Sequence, residues 1–159
     1  MLLLAGSAAA QQPEAAENRF DDWELSCNPQ PATQQSGCRI SQQLAIQESG
    51  KTVFAVTILP GEKKNELVGV VSIPLGGYIA PGIELRIDNK NAYKILVETC
   101  NTSGCHAGFT VSPKLQRELM AGKKAQFRIW TTKAQPTDVT VSLTGIKKAI
   151  EALHKRGAQ

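Results

Sequence analysis

The sequence predicts an all-β protein: an antiparallel β-sandwich of about nine strands, with one short helix and one C-terminal amphipathic helix. Three observations carry that prediction. Apolar and polar residues alternate with period two through most of the chain. Clusters of Gly, Pro and Asn punctuate the alternation at short, near-regular spacing. The 3.6-residue period of a helix surfaces in only two places. The chain has 159 residues, a size that suits one domain. A hydrophobic share of 42% and a charged share of 20% exclude a wholly disordered polypeptide. No uncharged apolar run approaches the ~18 residues of a membrane-spanning helix.

The elements follow in order. Trp23, Leu25 and Cys27 alternate with Asp22, Glu24 and Ser26, so the first strand buries one face. Cys38, Ile40, Leu44 and Ile46 share one parity, and Ser41, Gln43 and Gln47 take the other. Residues 53–59 are apolar on both parities apart from Thr57, the pattern of a central strand, and 67–73 is similar. Pro74-Leu75-Gly76-Gly77 and Pro81-Gly82 read as turns. Ile83, Leu85 and Ile87 alternate with Glu84, Arg86 and Asp88, and strands continue over 93–99, 106–111, 125–131 and 139–143. Ser112 suits a helix N-cap and Pro113 the first helical position. Leu115 and Leu119 lie four apart on one face, and Gly122 closes that helix as its C′ residue. The second helix, about 146–154, carries Ile146, Ala149, Ile150 and Leu153 as an apolar stripe, with Lys147, Lys148, Glu151 and Lys155 off it.

Residues 20–154 are therefore read as a single domain, 11–19 as a polar, disordered lead-in and 155–159 as a flexible tail. Residues 1–10, MLLLAGSAAA, read as the remnant of an export signal peptide. Three leucines precede small residues, and Ala8-Ala9-Ala10 fits the small-x-small cleavage pattern. A basic leader and a longer apolar stretch are absent from this segment.

Four cysteines, Cys27, Cys38, Cys100 and Cys105, accompany that export-like start. An even number in an exported chain predicts two disulfides, and four cysteines allow three connectivities. Cys27–Cys38 and Cys100–Cys105 are the expected pairs, because each is separated by a turn-like polar segment. A zinc site on Cys100, Cys105 and His106 would need a spacing that Cys-x4-Cys fits only marginally, and an oxidising compartment opposes free thiolates. A thiol oxidoreductase would want Cys-x-x-Cys at a helix N-terminus.

The sequence offers no candidate catalytic residue, no metal ligand set and no cofactor motif. His106 and His154 are the only histidines. Gly-x-Ser-x-Gly and His-Glu-x-x-His are absent, and the glycines form no phosphate or dinucleotide loop. Asp21, Asp22 and Glu24 lack the spacing of a calcium loop and read as a solvated strand edge.

The charge balance singles out a candidate binding surface. The formal net charge is +4. From Gly145 onward Lys147, Lys148, Lys155 and Arg156 face Glu151 alone. A local basic patch attracts phosphate-bearing or acidic surfaces, although solvated helix faces of this kind are common. On the strand 125–131, Phe127 and Trp130 fall on opposite faces. Trp130 then either stands outward beside Arg128 as a binding anchor or is covered by the basic helix. Arg128, Trp130, Lys147, Lys148, Lys155 and Arg156 together form the candidate surface, with weak contact to anionic lipid or glycan as its chemistry. Interleaved basic and aromatic residues faintly suggest single-stranded nucleic acid, which export from the cytoplasm excludes as a partner.

The ordered motifs add a resemblance. They are Phe20-x-x-Trp23-x-x-x-Cys27, Cys38-Arg39-Ile40, Pro74-Leu75-Gly76, Gly82-Ile83-x-Leu85-x-Ile87-Asp88 and Cys100-x-x-x-Gly104-Cys105. Leu119-x-x-Gly122 and Val141-Ser142-Leu143-x-Gly145-Ile146 complete the set. Over roughly residues 20–153 the chain resembles the invasion-associated locus B proteins of Gram-negative bacteria. The resemblance implies export to the periplasm or cell surface and a β-rich disulfide-bonded domain, and the leading reading is a non-enzymatic exported protein that binds an envelope or host-surface component. Some members are linked to invasion of host cells, notably red blood cells. It implies no catalytic residues. Two other readings stand beside it: a periplasmic structural or chaperone-like module without host contact, and an enzyme acting on envelope polymers.

Overall fold

The computed structural model describes residues 18–28, 37–45 and 52–157. Within them the strands are β1 (Arg19–Phe20), β2 (Trp23–Cys27), β3 (Cys38–Ala45), β4 (Thr52–Pro60), β5 (Leu67–Ile73), β6 (Ile83–Ile87), β7 (Tyr93–Ile95), β8 (Thr99–Asn101), β9 (Gly104–Val111), β10 (Lys124–Thr132) and β11 (Gln135–Ser142). The helices are α1 (Pro113–Ala121) and α2 (Ile146–Gly157). The strands form two antiparallel sheets, one ordered β1-β2-β3-β4-β5-β9-β8 and the other β11-β10-β6-β7. The expected all-β sandwich with a short and a C-terminal helix is what the chain builds. The export-signal segment, residues 11–17 of the lead-in, and Ile46 and Gln47 lie outside the described residues.

Alternation explains the layering. The register sets Leu25 opposite Ile40, Ile40 opposite Ile58, Ile58 opposite Gly69 and Gly69 opposite Phe109, a single row across the large sheet. Gly69 leaves the space that the Phe109 ring occupies. From the small sheet Leu85, Ile87, Phe127 and Val141 face this row and are buried. The Phe54 and Phe127 rings meet across the layers with centroids 5.2 Å apart, a separation suited to tilted aromatic pairs. Between the sheets, Trp23, Val56, Leu85, Phe109 and Phe127 help line a void of about 10 Å³. That is about one water-sized sphere, too small for a ligand.

Four details depart from expectation. The single strand expected over 93–99 divides into β7, which pairs with β6, and β8, which pairs with β9, because the chain changes sheets between them. β11 begins at Gln135 rather than 139. Its first four residues are exposed, so burial imposes no alternation there. Arg19, placed in the lead-in, pairs with Glu24 in β1. Lys155, Arg156 and Gly157, placed in a flexible tail, are the last turn of α2.

α1 starts as its sequence requires, with Ser112 Oγ accepting from Leu115 N at 3.2 Å. Gly122 ends it in an extended conformation, not the left-handed one of a C′ cap. The glycine is needed for a different reason: a Cβ there would come within 2.7 Å of Ile87 Cγ2 and 3.0 Å of Leu143 Cδ1. α2 lays its stripe against β1, β2, β3 and α1, and Ile146, Ala149, Ile150 and Leu153 are all buried. Truncating a fully buried isoleucine removes both transfer energy and packing. Ile150→Ala is therefore expected to lower stability by about 2–5 kcal/mol. An unchanged urea midpoint would show that α2 contributes nothing to the core.

Candidate functional site

The six candidate residues divide between two places. On α2, Lys147, Lys148 and Lys155 are exposed and Arg156 is half-buried. Lys148 and Lys155 lie seven residues apart, opposite the buried stripe, as a 3.6-residue period requires. The last turn holds His154, Lys155 and Arg156, where cations complement the negative end of the helix dipole. Lys147 and Lys148 sit in the first turn, which holds no acidic residue. Cations there oppose the dipole. The dipole therefore favours the basic residues at the C-terminal end and not Lys147 and Lys148, which instead stand four and three residues before Glu151, the spacing at which opposite charges on a helix attract.

Arg128 and Trp130 lie elsewhere. Lys124, the first residue of β10, pairs with Ser142, from which the chain runs directly into α2. Trp130 is six residues further along the same strand, about 20 Å away at the strand rise. Arg128 is engaged: its Nε and Nη2 donate to Asp138 Oδ1 and Oδ2 at 2.8 and 2.9 Å. Across the outer face of the small sheet, Lys94 opposes Glu84, Glu84 opposes Arg128, and Arg128 opposes Asp138. Alternating charges on four neighbouring strands make a mutually neutralising ladder. The basic helix does not cover Trp130, and Trp130 does not stand free beside Arg128. It is half-buried against the Pro74-Leu75-Gly76-Gly77 turn, and its carbonyl accepts from Tyr78 N at 2.9 Å. The six candidate residues thus do not form one continuous surface: the cationic face of α2 stands apart from Arg128 and Trp130.

The pairing of Asp138 with Arg128 sets a pH dependence. The guanidinium's hydrogen bonds hold the Asp138 carboxyl below the usual range. Asp88 is lowered too, because its oxygens accept from Lys123 N at 2.9 Å and Lys124 N at 3.0 Å. A carboxyl lowered in the folded state contributes stability above its unfolded value and loses it as the pH falls through the folded one. The melting temperature is therefore expected to drop below about pH 4, modestly because both groups are solvated. A smaller drop for Asp88→Asn and Asp138→Asn together would confirm the source.

The cysteines pair as expected, Cys27 with Cys38 and Cys100 with Cys105. Each pair joins directly opposed residues on neighbouring antiparallel strands, at opposite ends of the large sheet. Peptide mapping without reduction is expected to recover these two links, and a Cys27–Cys100 link would contradict the fold. His106 is half-buried on the outer face, with Nδ1 at 2.9 Å from Ser72 Oγ. Ser72 and His106 oppose each other on β5 and β9, so this is a hydrogen bond across the sheet surface. Among the described residues no three His, Cys, Asp or Glu side chains converge as a metal would require.

One feature escaped sequence reading. The large apolar side chains exposed by more than a third, among the described residues, are Leu75 at 55%, Tyr78 at 36%, Ile79 at 42% and Leu96 at 64%. The first three lie on the segment joining β5 to β6. Leu96 joins them because its backbone passes against Gly82, whose N–H donates to Ile79 O at 3.0 Å. Beside them is an open slot of about 160 Å³ between the Pro74–Gly77 turn and Ile129–Thr131. The available signal was the uncharged run from Pro74 to Pro81, which its turn residues masked.

Comparison with known proteins adds three findings. Residues 23–154 match the family described as Invasion associated locus B (IalB) protein. Two invasion protein B homologs of Brucella abortus, from strain 2308 and from biovar 1 strain 9-941, are each 26% identical over 151 residues, covering 91% of this chain and 84% of theirs. The crystal structure of invasion associated protein b from Bartonella henselae superposes with a TM-score of 0.76 at 19% identity, covering 89% of this chain and 97% of that one.

Proposed function

This chain belongs to the invasion associated locus B (IalB) family, and on that premise we propose that it is an exported, non-enzymatic protein of the periplasm or cell surface that promotes bacterial entry into host cells, erythrocytes among them. The observation that carries the reading is the family match over residues 23–154, nearly all of the folded domain. Two disulfides support export, since such bonds persist in oxidising compartments. α2 supplies the contact chemistry: an exposed cationic face for anionic lipid headgroups or acidic glycans. Each basic residue near an anionic membrane contributes about 1 kcal/mol, so three or four give weak attachment that salt reverses.

The test of the biological role is deletion of the gene in its native bacterium, followed by a host-cell entry assay and surface labelling of intact cells. Reduced entry restored by the wild-type gene is expected. Unchanged entry would refute the invasion role, and absence of surface label with entry unchanged would favour a periplasmic module without host contact.

The contact chemistry has its own test in Lys147→Glu with Lys148→Glu. Acidic residues in the first turn complement the helix dipole but repel Glu151 at three and four residues' spacing, so the two effects largely offset and stability is expected to change by less than about 1 kcal/mol. It is also expected to lose co-sedimentation with anionic vesicles at low salt. Retained stability with a loss of binding separates a contact role from a structural one. Equal vesicle binding by both proteins would place the contact surface elsewhere.

A further inference from the structure

The cationic surface of this domain is not confined to α2. We infer that α1, the link from α1 to β10, and α2 form one positively charged layer that docks flat on an anionic lipid bilayer. The inference rests on the contact chemistry read for α2, widens its site, and selects lipid over glycan as the partner.

The fold gathers charges that the sequence keeps apart. Lys114 and Arg117 are exposed on α1, and Lys123 and Lys124 are exposed where the chain passes from that helix into β10. α1 packs against α2. Lys124 pairs with Ser142 at the end of β11, Lys123 O accepts from Leu143 N at 3.0 Å, and Leu143 O accepts from Ile146 N at 3.2 Å. The doublets Lys123-Lys124 and Lys147-Lys148 therefore meet at the start of α2, although β10 and β11 separate them in the chain. With the four cations of α2 the layer holds eight, against Glu118 and Glu151. At its border stand Asp21, Asp22 and Asp88, and two more cations. Arg19 Nε donates to Asp21 O at 3.3 Å, and Lys90 lies in the turn after β6. Ten cations then face five carboxylates, a surplus of five. The whole chain carries +4, so everything outside this layer is slightly negative and the approach to an anionic surface is oriented. Among the described residues the ion pairs are Arg86 with Glu84 and Arg128 with Asp138, both on the small sheet. The layer's own cations are left for a partner.

Their distribution selects the partner. A single anion is held by converging donors in a cradle. Here the cations stand on two helices, about 14 and 18 Å long, and on the link beside them. A polyanionic chain follows a charged groove, whereas cations spread over two packed helices match a two-dimensional array of headgroups. Six of the eight are lysines, point charges without the fork that reads carboxylates bidentately. Basic clusters of this size are attracted to anionic bilayers without stereospecific contact. The apolar stripes of both helices are buried in the core, so the layer rests on the headgroups and does not insert.

Co-sedimentation with phosphatidylglycerol–phosphatidylcholine vesicles tests the inference with α2 left intact. The variant carries Lys114→Gln, Arg117→Gln, Lys123→Gln and Lys124→Gln. All four side chains are exposed, so the melting temperature should hold. Wild type is expected to bind the mixed vesicles at low salt, to ignore pure phosphatidylcholine, and to release as salt rises to about 0.15 M, where charges act over only about 8 Å. The variant is expected to bind about tenfold more weakly or worse, with a shallower salt dependence. Equal binding by variant and wild type would overturn the inference. If Lys147→Glu with Lys148→Glu then abolishes binding, the α2 contact stands alone. No binding of wild type to anionic vesicles at low salt would overturn the lipid contact of α2 as well. Retention on heparin without vesicle binding at any salt would assign the layer to acidic glycans instead.

Discussion

Gly145→Ala is expected to destabilise the domain by about 2–6 kcal/mol, combining backbone strain with overpacking. Gly145 has φ at 87°, a left-handed conformation that costs any residue with a Cβ. The site is also closed sterically. An added Cβ would overlap the Phe20 carbonyl oxygen and come to 2.9 Å from Asp21 Oδ2. Neither backbone yields easily: Phe20 opposes Trp23 in the β1–β2 pair, and Gly145 is itself held because its O accepts the helical bond from Ala149 N at 3.0 Å. The substitution must therefore push apart the first strand pair and the start of α2. A typical domain is stable by only 5–15 kcal/mol, so much of the folded margin is at stake. Urea denaturation at neutral pH measures it, and a midpoint within error of wild type would mean that the turn is not as closely packed as described.

How much of this was legible in the chain depends on how local the signal is. β2, β6 and the body of β10 announce themselves because each alternates apolar with polar residues over one core, β5 because its run is apolar on both parities, and α2 because its stripe repeats at the helical period. The disulfide pairs were legible because each closes across a hairpin. What was hidden depends on register. Arg128 meets Asp138 only because β10 and β11 pair from Lys124 opposite Ser142 onward, and nothing within ten residues of sequence separation marks the partner. Trp130 was assigned to its correct face of the strand, but the cover it finds comes from a turn more than fifty residues earlier. The change of sheet after Ile95 was hidden because Tyr93 to Thr99 keeps a strand-like composition while Leu96 turns to water. For the candidate site, the basic face of α2 could be read from the sequence, and its separation from Arg128 and Trp130 could not.

Trp23→Ala is expected to cost about 3–5 kcal/mol, the range of large aromatic truncations in a core. Trp23 is 1% exposed, and its Nε1 donates to Ser142 O at 3.0 Å. That carbonyl has a second donor, Gln42 Nε2, also at 3.0 Å, and Gln42 Oε1 accepts from Ser142 N at 3.1 Å. Ser142 ends β11 in the small sheet, whereas Trp23 and Gln42 belong to the large one, so these bonds fasten the two layers beside the start of α2. The shared acceptor makes a sharper prediction than the truncation. Trp23→Phe keeps most of the apolar volume and leaves Ser142 O bonded to Gln42, so alone it is expected to cost about 1–2 kcal/mol. Gln42→Leu alone leaves the same oxygen bonded to the indole. Together they remove both side-chain donors, and a buried polar group left without a partner costs about 1–3 kcal/mol more. The double variant should therefore lose more than the sum of the two singles, by about 1 kcal/mol or more in a double-mutant cycle. Strict additivity would show that water replaces the lost donors and that the two layers are held by apolar packing alone.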